Sequence, residues 1–125
     1  MNAGWQCIAG DVKTIVPAYV FPMVDAAGTI DLMACGADGT VNLTGKVVTK
    51  LTLTASATNG DPITVEVGET NGYEPVSGFS VVLLAGESET LEPLNAPEVG
   101  SGAKTLDVSG TGTQSVVVYI EAEDA

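Results

Sequence analysis

Residues 46–57 read KVVTKLTLTASA, and from Val47 onward apolar and polar side chains alternate along the stretch. The apolar set is Val47, Leu51, Leu53, Ala55 and Ala57, and the polar set is Lys46, Lys50, Thr52, Thr54 and Ser56. Because side chains of a strand point alternately to opposite faces, this pattern predicts a β-strand with one buried and one solvated face. Gly45 precedes the stretch and the turn-forming run TNGDP follows it at residues 58–62.

The rest of the chain repeats this pattern at intervals of about 8–12 residues, with turn formers between the repeats. Strand-like stretches occupy residues 28–34, 40–43, 63–67, 79–85, 104–108 and 114–122, and a short one ends near Leu91. The pair Asp38-Gly39 predicts a hairpin between the first two of them. No stretch favours a helix. We therefore predict an all-β fold, a single-domain antiparallel β-sandwich of about eight strands, with jelly-roll and Greek-key connections both open.

The first 24 residues combine large apolar side chains with two prolines. Pro17 and Pro22 exclude a continuous helix and a central strand, so this segment fits only the edge of a sheet. We therefore predict an N-terminal apolar arm with edge segments at residues 1–24 and a sandwich domain at residues 25–125. The arm either packs on its own domain or lies on a neighbouring subunit. In the second case the docking residues would be Trp5, Ile8, Val16, Tyr19 and Phe21.

The charge of the chain excludes some classes of partner. Its 125 residues include 4 Lys, no Arg, no His and 16 acidic residues, for a net charge of −12. Phosphate neutralisation requires Lys and Arg, so we expect no nucleic-acid partner, and an anionic membrane surface is disfavoured for the same reason. No run of about 18 uncharged apolar residues is present, so no membrane span is predicted.

The charge is also unevenly distributed along the chain. Residues 1–60 hold four aspartates and three lysines, a net charge of −1, whereas residues 61–125 hold twelve acids against one lysine, a net charge of −11. A fold that kept these halves apart would have a nearly neutral end suited to docking and an acidic end suited to solvent.

The residue types that carry most enzyme chemistry are absent or isolated. Without His, acid–base work would fall to carboxylates, and Glu87 and Glu89 lie only two residues apart, as expected of a solvated pair at a turn. Ser77, Ser80 and Ser115 have no histidine to activate them. No glycine-rich loop has a phosphate-binding spacing. We therefore expect no enzymatic activity and no cofactor.

Two cysteines, Cys7 and Cys35, neither form a disulfide framework nor match the spacing of a zinc motif. We interpret them as two small buried hydrophobes, with a bond between them as the alternative.

Oxygen ligands for calcium could come from Asn59, Asp61, Glu69 and Asn71, which lie in predicted loops. The spacing of an EF-hand loop is missing, so ordinary turn residues are the favoured interpretation and no metal is predicted.

Sugar binding by aromatic stacking would draw on Trp5, Tyr19, Phe21 and Tyr73, with the loop at residues 68–78 as the site. This is a small number of rings, and we expect most of them to lie in the core or at an interface.

Two predicted strands, at residues 79–85 and 114–122, are apolar on both faces. The outer face of a two-layer sandwich should be polar, so Val82, Leu84, Val117 and Tyr119 need a cover. If all four point outward, we expect one patch of roughly a few hundred Å², a size at which association becomes the expected explanation. The alternative is that the N-terminal arm covers them.

A small acidic all-β chain with an apolar N-terminal arm and no catalytic constellation resembles the capsid decoration (cement) proteins of tailed bacteriophages. The resemblance implies a non-enzymatic structural virion protein, assembled in the host cytoplasm and located on the outer capsid surface. It also implies contact with the major capsid protein through the arm or an edge strand, and a homo-oligomer, with a trimer favoured. Two other functions fit the same sequence: a carbohydrate-binding or adhesive β-sandwich module, and a subunit of a fibre or tail appendage.

Overall fold

Eight β-strands make up the regular structure of residues 13–125, the part of the chain that the computed structural model describes. They are β1 (Lys13–Pro22), β2 (Ala27–Asp31), β3 (Lys46–Ala55), β4 (Ile63–Val67), β5 (Ser80–Leu83), β6 (Ser88–Leu91), β7 (Thr105–Ser109) and β8 (Ser115–Asp124). These residues contain no helix, and so none long and apolar enough to cross a membrane. The prediction of an all-β chain is confirmed.

The strands form two antiparallel sheets of four, with the order β1-β8-β3-β6 in the first sheet and β2-β7-β4-β5 in the second. Every connection crosses from one sheet to the other except the one between β4 and β5, which are neighbours in the second sheet. This interleaved order is that of an eight-stranded jelly roll, one of the two arrangements that the sequence left open. The apolar core lies between the sheets, so the predicted β-sandwich is confirmed.

The alternating stretch forms strand β3. Near the start of this strand, the alternation of inward and outward side chains reverses. The register between β3 and β8 shifts between Val48 and Lys50, so one extra residue, Thr49, is accommodated as a β-bulge. Val48 therefore faces the core, whereas Leu51, Leu53 and later core residues keep the predicted phase. The expectation that Val47 faces inward was wrong, because a bulge reverses the alternation on one side of it.

A second irregularity interrupts β1, the edge strand next to β8. The register shifts between Val16 and Tyr19, and the residues in between are Pro17 and Ala18. Proline has no backbone N–H to donate, and edge strands and bulges are where a sheet tolerates it. Val16 and Tyr19 consequently both point into the core, although they are three residues apart.

Tyr73, which follows β4, joins three parts of the core. Its hydroxyl accepts a hydrogen bond from the backbone N–H of Val48 (3.0 Å) and donates one to the carbonyl of Pro97 (2.7 Å). The ring is buried, and this burial raises the pKa of the phenol. Tyr73 thereby connects the β4–β5 and β6–β7 loops to the bulge of β3.

Residues 40–43 do not form the predicted strand. The turn before them exists, since Cys35 and Val41 exchange two backbone hydrogen bonds of 2.9 Å. Immediately afterwards, the side chain of Asn42 accepts hydrogen bonds from the backbone N–H of Thr44 (3.0 Å) and from its hydroxyl (2.5 Å). This local turn competes with strand pairing, so the predicted hairpin ends as a single bridge.

Candidate assembly surfaces

The outward side of the first sheet, which we call face 1, carries an apolar strip along β1 and β8. Val20 lies directly opposite Val117, and Val117 lies directly opposite Thr54 on the other side. Val20 is 61% exposed and Ile15 is 52% exposed, whereas Val117 is half-buried. The outward side chains of face 1 are Lys13, Ile15, Val20, Val47, Lys50, Thr52, Thr54, Ser88, Thr90, Val117, Tyr119, Glu121 and Glu123.

The hydroxyl groups of face 1 hydrogen-bond to one another. Thr52 and Thr90 lie opposite each other on β3 and β6, with their hydroxyl oxygens 3.0 Å apart, and the hydroxyls of Thr54 and Ser88 are 2.6 Å apart. A polar group that already has a partner loses less when water is removed from it. Removing water from these paired hydroxyls therefore costs less free energy than removing it from isolated ones.

The charges of face 1 are balanced. On its strands the two lysines, Lys13 and Lys50, are matched by the two glutamates, Glu121 and Glu123, and Lys50 also lies 3.8 Å from Glu92, which follows β6. Lys13 lies 3.0 Å from one carboxylate oxygen of Glu121, and the hydroxyl of Tyr119 donates to the other at 2.5 Å. The hydrogen bond from Tyr119, followed by that from Lys13, holds the pKa of Glu121 below its ordinary value of 4.5.

The outward side of the second sheet, which we call face 2, has the opposite electrostatic character. Its side chains are Ala27, Thr29, Asp31, Thr64, Glu66, Ser80, Val82, Asp107 and Ser109. Glu66 on β4 lies directly opposite Asp107 on β7, so two carboxylates face each other across neighbouring strands. Asp107 accepts hydrogen bonds from the hydroxyl of Thr29 (3.2 Å) and from the backbone N–H of Glu69 (3.0 Å). None of these outward strand residues is a lysine; Lys104, which precedes β7, lies 3.8 Å from Asp31, and the acidic residues on this side still outnumber it.

The two faces do not correspond to the two halves of the sequence. Strand β8 belongs to the acidic half, yet it lies between β1 and β3 of the nearly neutral half. Lys13 and Lys50 therefore flank Glu121 in space. The condition for a docking end and a solvated end is therefore not met, because the fold places strands of both halves side by side in one sheet.

Two of the predicted docking residues are not on the surface. Val16 and Tyr19 are buried in the core of their own domain and are not available to a partner. Trp5 and Ile8 lie outside the described residues. Their docking role stays a prediction, as does the division of the chain at residue 24.

Phe21 is half-buried, and its ring lies over β2. A Cβ atom placed on Gly28 would come within 2.6 Å of the Phe21 ring, so glycine is what lets the ring close this side of the sandwich. The exposed large aliphatic residues of β1 are instead Ile15 and Val20, which the sequence analysis did not select. The available signal was Pro17, because a proline inside a strand often marks a bulge that changes its phase.

The four predicted oligomer residues do not form one patch. Val117 and Tyr119 are half-buried on face 1, whereas Val82 on β5 is exposed on face 2 and Leu84 is exposed just beyond that strand. Because β5 and β8 belong to different sheets, the two pairs lie on opposite sides of the sandwich. The expectation of a single continuous surface was wrong, and the interface role of each pair stays a prediction.

The candidate calcium ligands lie at opposite ends of one strand. Asn59 and Asp61 precede β4, whereas Glu69 and Asn71 follow it, and a five-residue strand spans about 16 Å. One ion cannot reach both ends. The amide of Asn59 is already occupied, since it donates to the carbonyl of Ser115 and accepts from its N–H. Within residues 13–125 no three acidic or cysteine side chains are placed to share a metal.

The rings available for sugar stacking are largely withdrawn from the surface. Tyr73 and Tyr19 are buried, and Phe21 is half-buried. The loop after β4 does border an open cleft of about 500 Å³, but its apolar lining consists of Pro75, Val76, Pro93 and Leu94, with no aromatic residue. The proposed role of Tyr73 in sugar binding was therefore wrong, because this ring is part of the core.

Cys35 is buried beside Val41, and burial is the main cause that raises the pKa of its thiol to about 11. This position fits the interpretation of Cys35 as a small hydrophobe. Cys7 lies outside the described part of the chain, so the alternative of a bond between the two stays a prediction.

No family model matches the chain, and no curated protein matches it either. Among solved structures, a chain of the cyanophage Pam1 capsid asymmetric unit is similar, with a TM-score of 0.51 and 16% sequence identity over 94% of this chain and 88% of that one. A chain from Bacillus endospore appendages, which form disulfide-linked pili, has 20% identity over the full length of both chains and a TM-score of 0.44. At this identity the similarity to the capsid chain shows a shared fold.

Proposed function

We propose that the chain is a non-enzymatic structural protein of a virion, located on the outer surface of a viral capsid and assembled there in the host cytoplasm. Its partners in this proposal are the major capsid protein and further copies of itself. The observation that carries the proposal is the contrast between the two outer faces. One has balanced charges and exposed aliphatic side chains, and the other is acidic.

The fold gives this proposal its context. A chain of a cyanophage capsid asymmetric unit has a similar fold over most of the length of both chains. Jelly rolls recur in capsid proteins because two short sheets closed over one core present broad, rigid outer faces. The fold itself also serves other functions, so the argument for a structural role depends on the surfaces.

The surfaces of the described residues contain no arrangement suited to catalysis. A polar cleft of about 370 Å³ is lined by Asp31, Glu69, Lys104 and Asp107 together with threonines and Asn71. Asp107 is held by Thr29 and a backbone N–H, and Lys104 lies 3.8 Å from Asp31. No nucleophile with a neighbouring general base is present in this cleft, which supports a non-enzymatic role.

The docking contact that we propose uses the N-terminal segment and the edge strand that follows it. Strand β1 is ten residues long and, among residues 13–125, has a strand neighbour, β8, on one side only. A free strand edge of this kind accepts an added strand or leads a segment onto a neighbouring subunit. Trp5 and Ile8 precede it in the sequence and would supply apolar anchors. Face 2 would then point towards solvent.

The test is co-sedimentation with shells assembled from the major capsid protein encoded in the same genome. The full chain should bind the shells to saturation. A variant that lacks residues 1–10 should keep the β-sheet circular dichroism and the melting temperature of the sandwich, but should bind the shells at least about tenfold more weakly. Leu94→Ser is the control, because it removes a side chain that is 94% exposed in a loop far along the chain and should leave binding unchanged.

Two results would contradict the proposal at different levels. Absence of binding by the full chain would reject the capsid role. Unchanged binding by the truncated variant would reject the N-terminal segment as the docking element. Open-ended polymers of the isolated chain in electron micrographs would instead favour the appendage alternative.

A further inference from the structure

The balanced charges, exposed aliphatic residues and internally paired hydroxyls of face 1 point to a specific occupant. We infer that face 1 binds face 1 of a second copy of this chain, in a two-fold symmetric pair with the two first sheets stacked on each other. This goes beyond the proposed function, which needs oligomers but does not identify their interface. It also stands without that function, because its observations concern the isolated chain.

Electrostatic repulsion between two copies favours contact through face 1 over contact through face 2. The chain carries a net charge of −12, so two copies repel wherever their acidic surfaces approach. On the strands of face 1 two lysines balance two glutamates, Lys13 and Tyr119 already hold Glu121, and Lys50 also lies 3.8 Å from Glu92 beyond β6. Face 2 places Glu66 against Asp107 with no outward lysine on its strands. Stacking face 2 on itself would bring these carboxylates together, whereas stacking face 1 would not.

The polar atoms of face 1 tolerate the removal of water. The Thr52–Thr90 and Thr54–Ser88 pairs each share one hydrogen bond between β3 and β6. When a second sheet covers them, these hydroxyls keep a partner, so the dehydration penalty of an unpaired polar group is avoided. The face thus combines apolar side chains on β1 and β8 with satisfied hydroxyls on β3 and β6.

The size of face 1 is close to what a stable pair needs. Four strands about 4.8 Å apart, with up to ten residues of about 3.3 Å each, give a projected area on the order of 600 Å². Stable interfaces bury about 800 Å² on each partner, and neighbouring loops add to the projected area. Sheets that stack in this way lie about 10 Å apart, with interdigitating side chains.

Symmetry follows from where the apolar residues lie. The other exposed strand valine, Val82, lies on face 2 with only Leu84 near it, and Glu66 and Glu87 belong to the same side of the sandwich. Of the two sheet faces of residues 13–125, face 1 has the apolar strip and face 2 does not, so the sheet face that matches face 1 is another face 1. A contact of a surface with its own copy is isologous and produces a closed dimer.

Sedimentation equilibrium of the full chain, with light scattering after gel filtration, tests the inference. The wild-type protein should have about twice the monomer mass of 12.6 kDa. Val20→Glu should weaken association about 100-fold or more, because it places a charge in the apolar strip that the two copies would bury against each other. Ile15→Glu should also weaken it, which keeps the test decisive if one variant folds poorly.

Val82→Glu is the matched control. Val82 is also a valine on an edge strand and is also 61% exposed, so the substitution makes the same chemical change at the same exposure on face 2. It should leave the dimer intact. Raising the salt concentration should tighten the wild-type dimer, because it screens the repulsion between two acidic chains without weakening apolar contacts.

A wild-type monomer or trimer, or equal effects of Val20→Glu and Val82→Glu, would overturn the inference. A trimer was the state favoured by the resemblance to decoration proteins, and it requires a contact that is not isologous. Shell binding is a separate measurement, so failure of the dimer leaves the capsid role standing, and failure of shell binding leaves the dimer standing.

Discussion

The two outer faces of this sandwich are built on the same geometry, each with four antiparallel strands, but their cross-strand neighbours differ in kind. On face 1 a single row runs Val20, Val117, Thr54. On face 2 the corresponding central pair is Glu66 opposite Asp107. Composition alone does not separate these faces, since both contain acidic residues and threonines. What separates them is which side chain lies opposite which.

This difference shows how a strongly acidic chain can still have one face, face 1, that is suited to the proposed binding of another subunit. Face 1 neutralises its carboxylates locally, with Lys13 beside Glu121, whereas face 2 leaves Glu66 and Asp107 facing each other. Strand β8 supplies acidic residues from the C-terminal half, and the flanking strands β1 and β3 supply lysines from the N-terminal half. The charge balance of face 1 therefore exists only after folding.

The largest expected effect comes from placing a charge in the apolar row of face 1. Val117→Asp should lower the free energy of unfolding by about 2 kcal/mol, because aspartate is a poor strand former and Val117 is half-buried between Val20 and Thr54. Thr64→Asp, at a half-buried outward position of a central strand on face 2, should cost about 1 kcal/mol or less. Urea denaturation of dilute protein measures both. Equal losses would mean that the two faces tolerate charge alike.

A smaller effect, of opposite sign, is expected on face 2. Glu66→Lys should raise the free energy of unfolding by about 0.5 kcal/mol, because it converts a repulsive pair with Asp107 into an attractive one. Glu89→Lys is the control, since it makes the same change in net charge opposite Leu53 on β6. If both variants are stabilised equally, the benefit comes from the total charge rather than from the pair on face 2.

The smallest effect concerns the ionised network on face 1 and depends on pH. The folded-state pKa of Glu121 lies below its ordinary value of 4.5, because Tyr119 and Lys13 stabilise the carboxylate. Its contribution to stability is therefore present above pH 4.5 and is lost as the pH falls through the folded-state value. Glu121→Gln should be slightly less stable than wild type at pH 7, and the difference should vanish in acid. Melting temperatures across a pH series, with Glu89→Gln as the control, test this, and a difference that persists in acid would contradict it.

Much of the fold follows from local alternation. The strand β4 was predicted at residues 63–67 and occupies Ile63–Val67, and β3 begins where the alternation begins. The prediction of which side chains point into the core failed where a bulge reversed the alternation along a strand. Val48 replaced Val47 on the core side, and Ile15 and Val20 became the exposed residues of β1. A bulge is defined by the register with a partner strand, which no local pattern contains.

The candidate surfaces were predictable only in part. Two-sided apolar strands correctly indicated that Val82 and Val117 point away from the core, but not that they lie on opposite sides of the sandwich. The sugar-binding interpretation failed at Tyr73, because its hydroxyl is satisfied inside the core by Val48 and Pro97. An aromatic residue in a glycine-rich loop has the same sequence signature whether the ring points in or out.

The sequence by itself determined that this protein is all-β, that it folds as a sandwich around an alternating strand, and that it carries a net charge of −12. Those properties depend on side-chain period, turn chemistry and total charge, which are local or additive. Only the tertiary structure decided which strands are neighbours, and hence that Lys13 meets Glu121 while Glu66 meets Asp107. The reason is that strand pairing joins residues far apart in the chain, 41 positions for Glu66 and Asp107 and 108 positions for Lys13 and Glu121, and the character of a face is a property of those pairs.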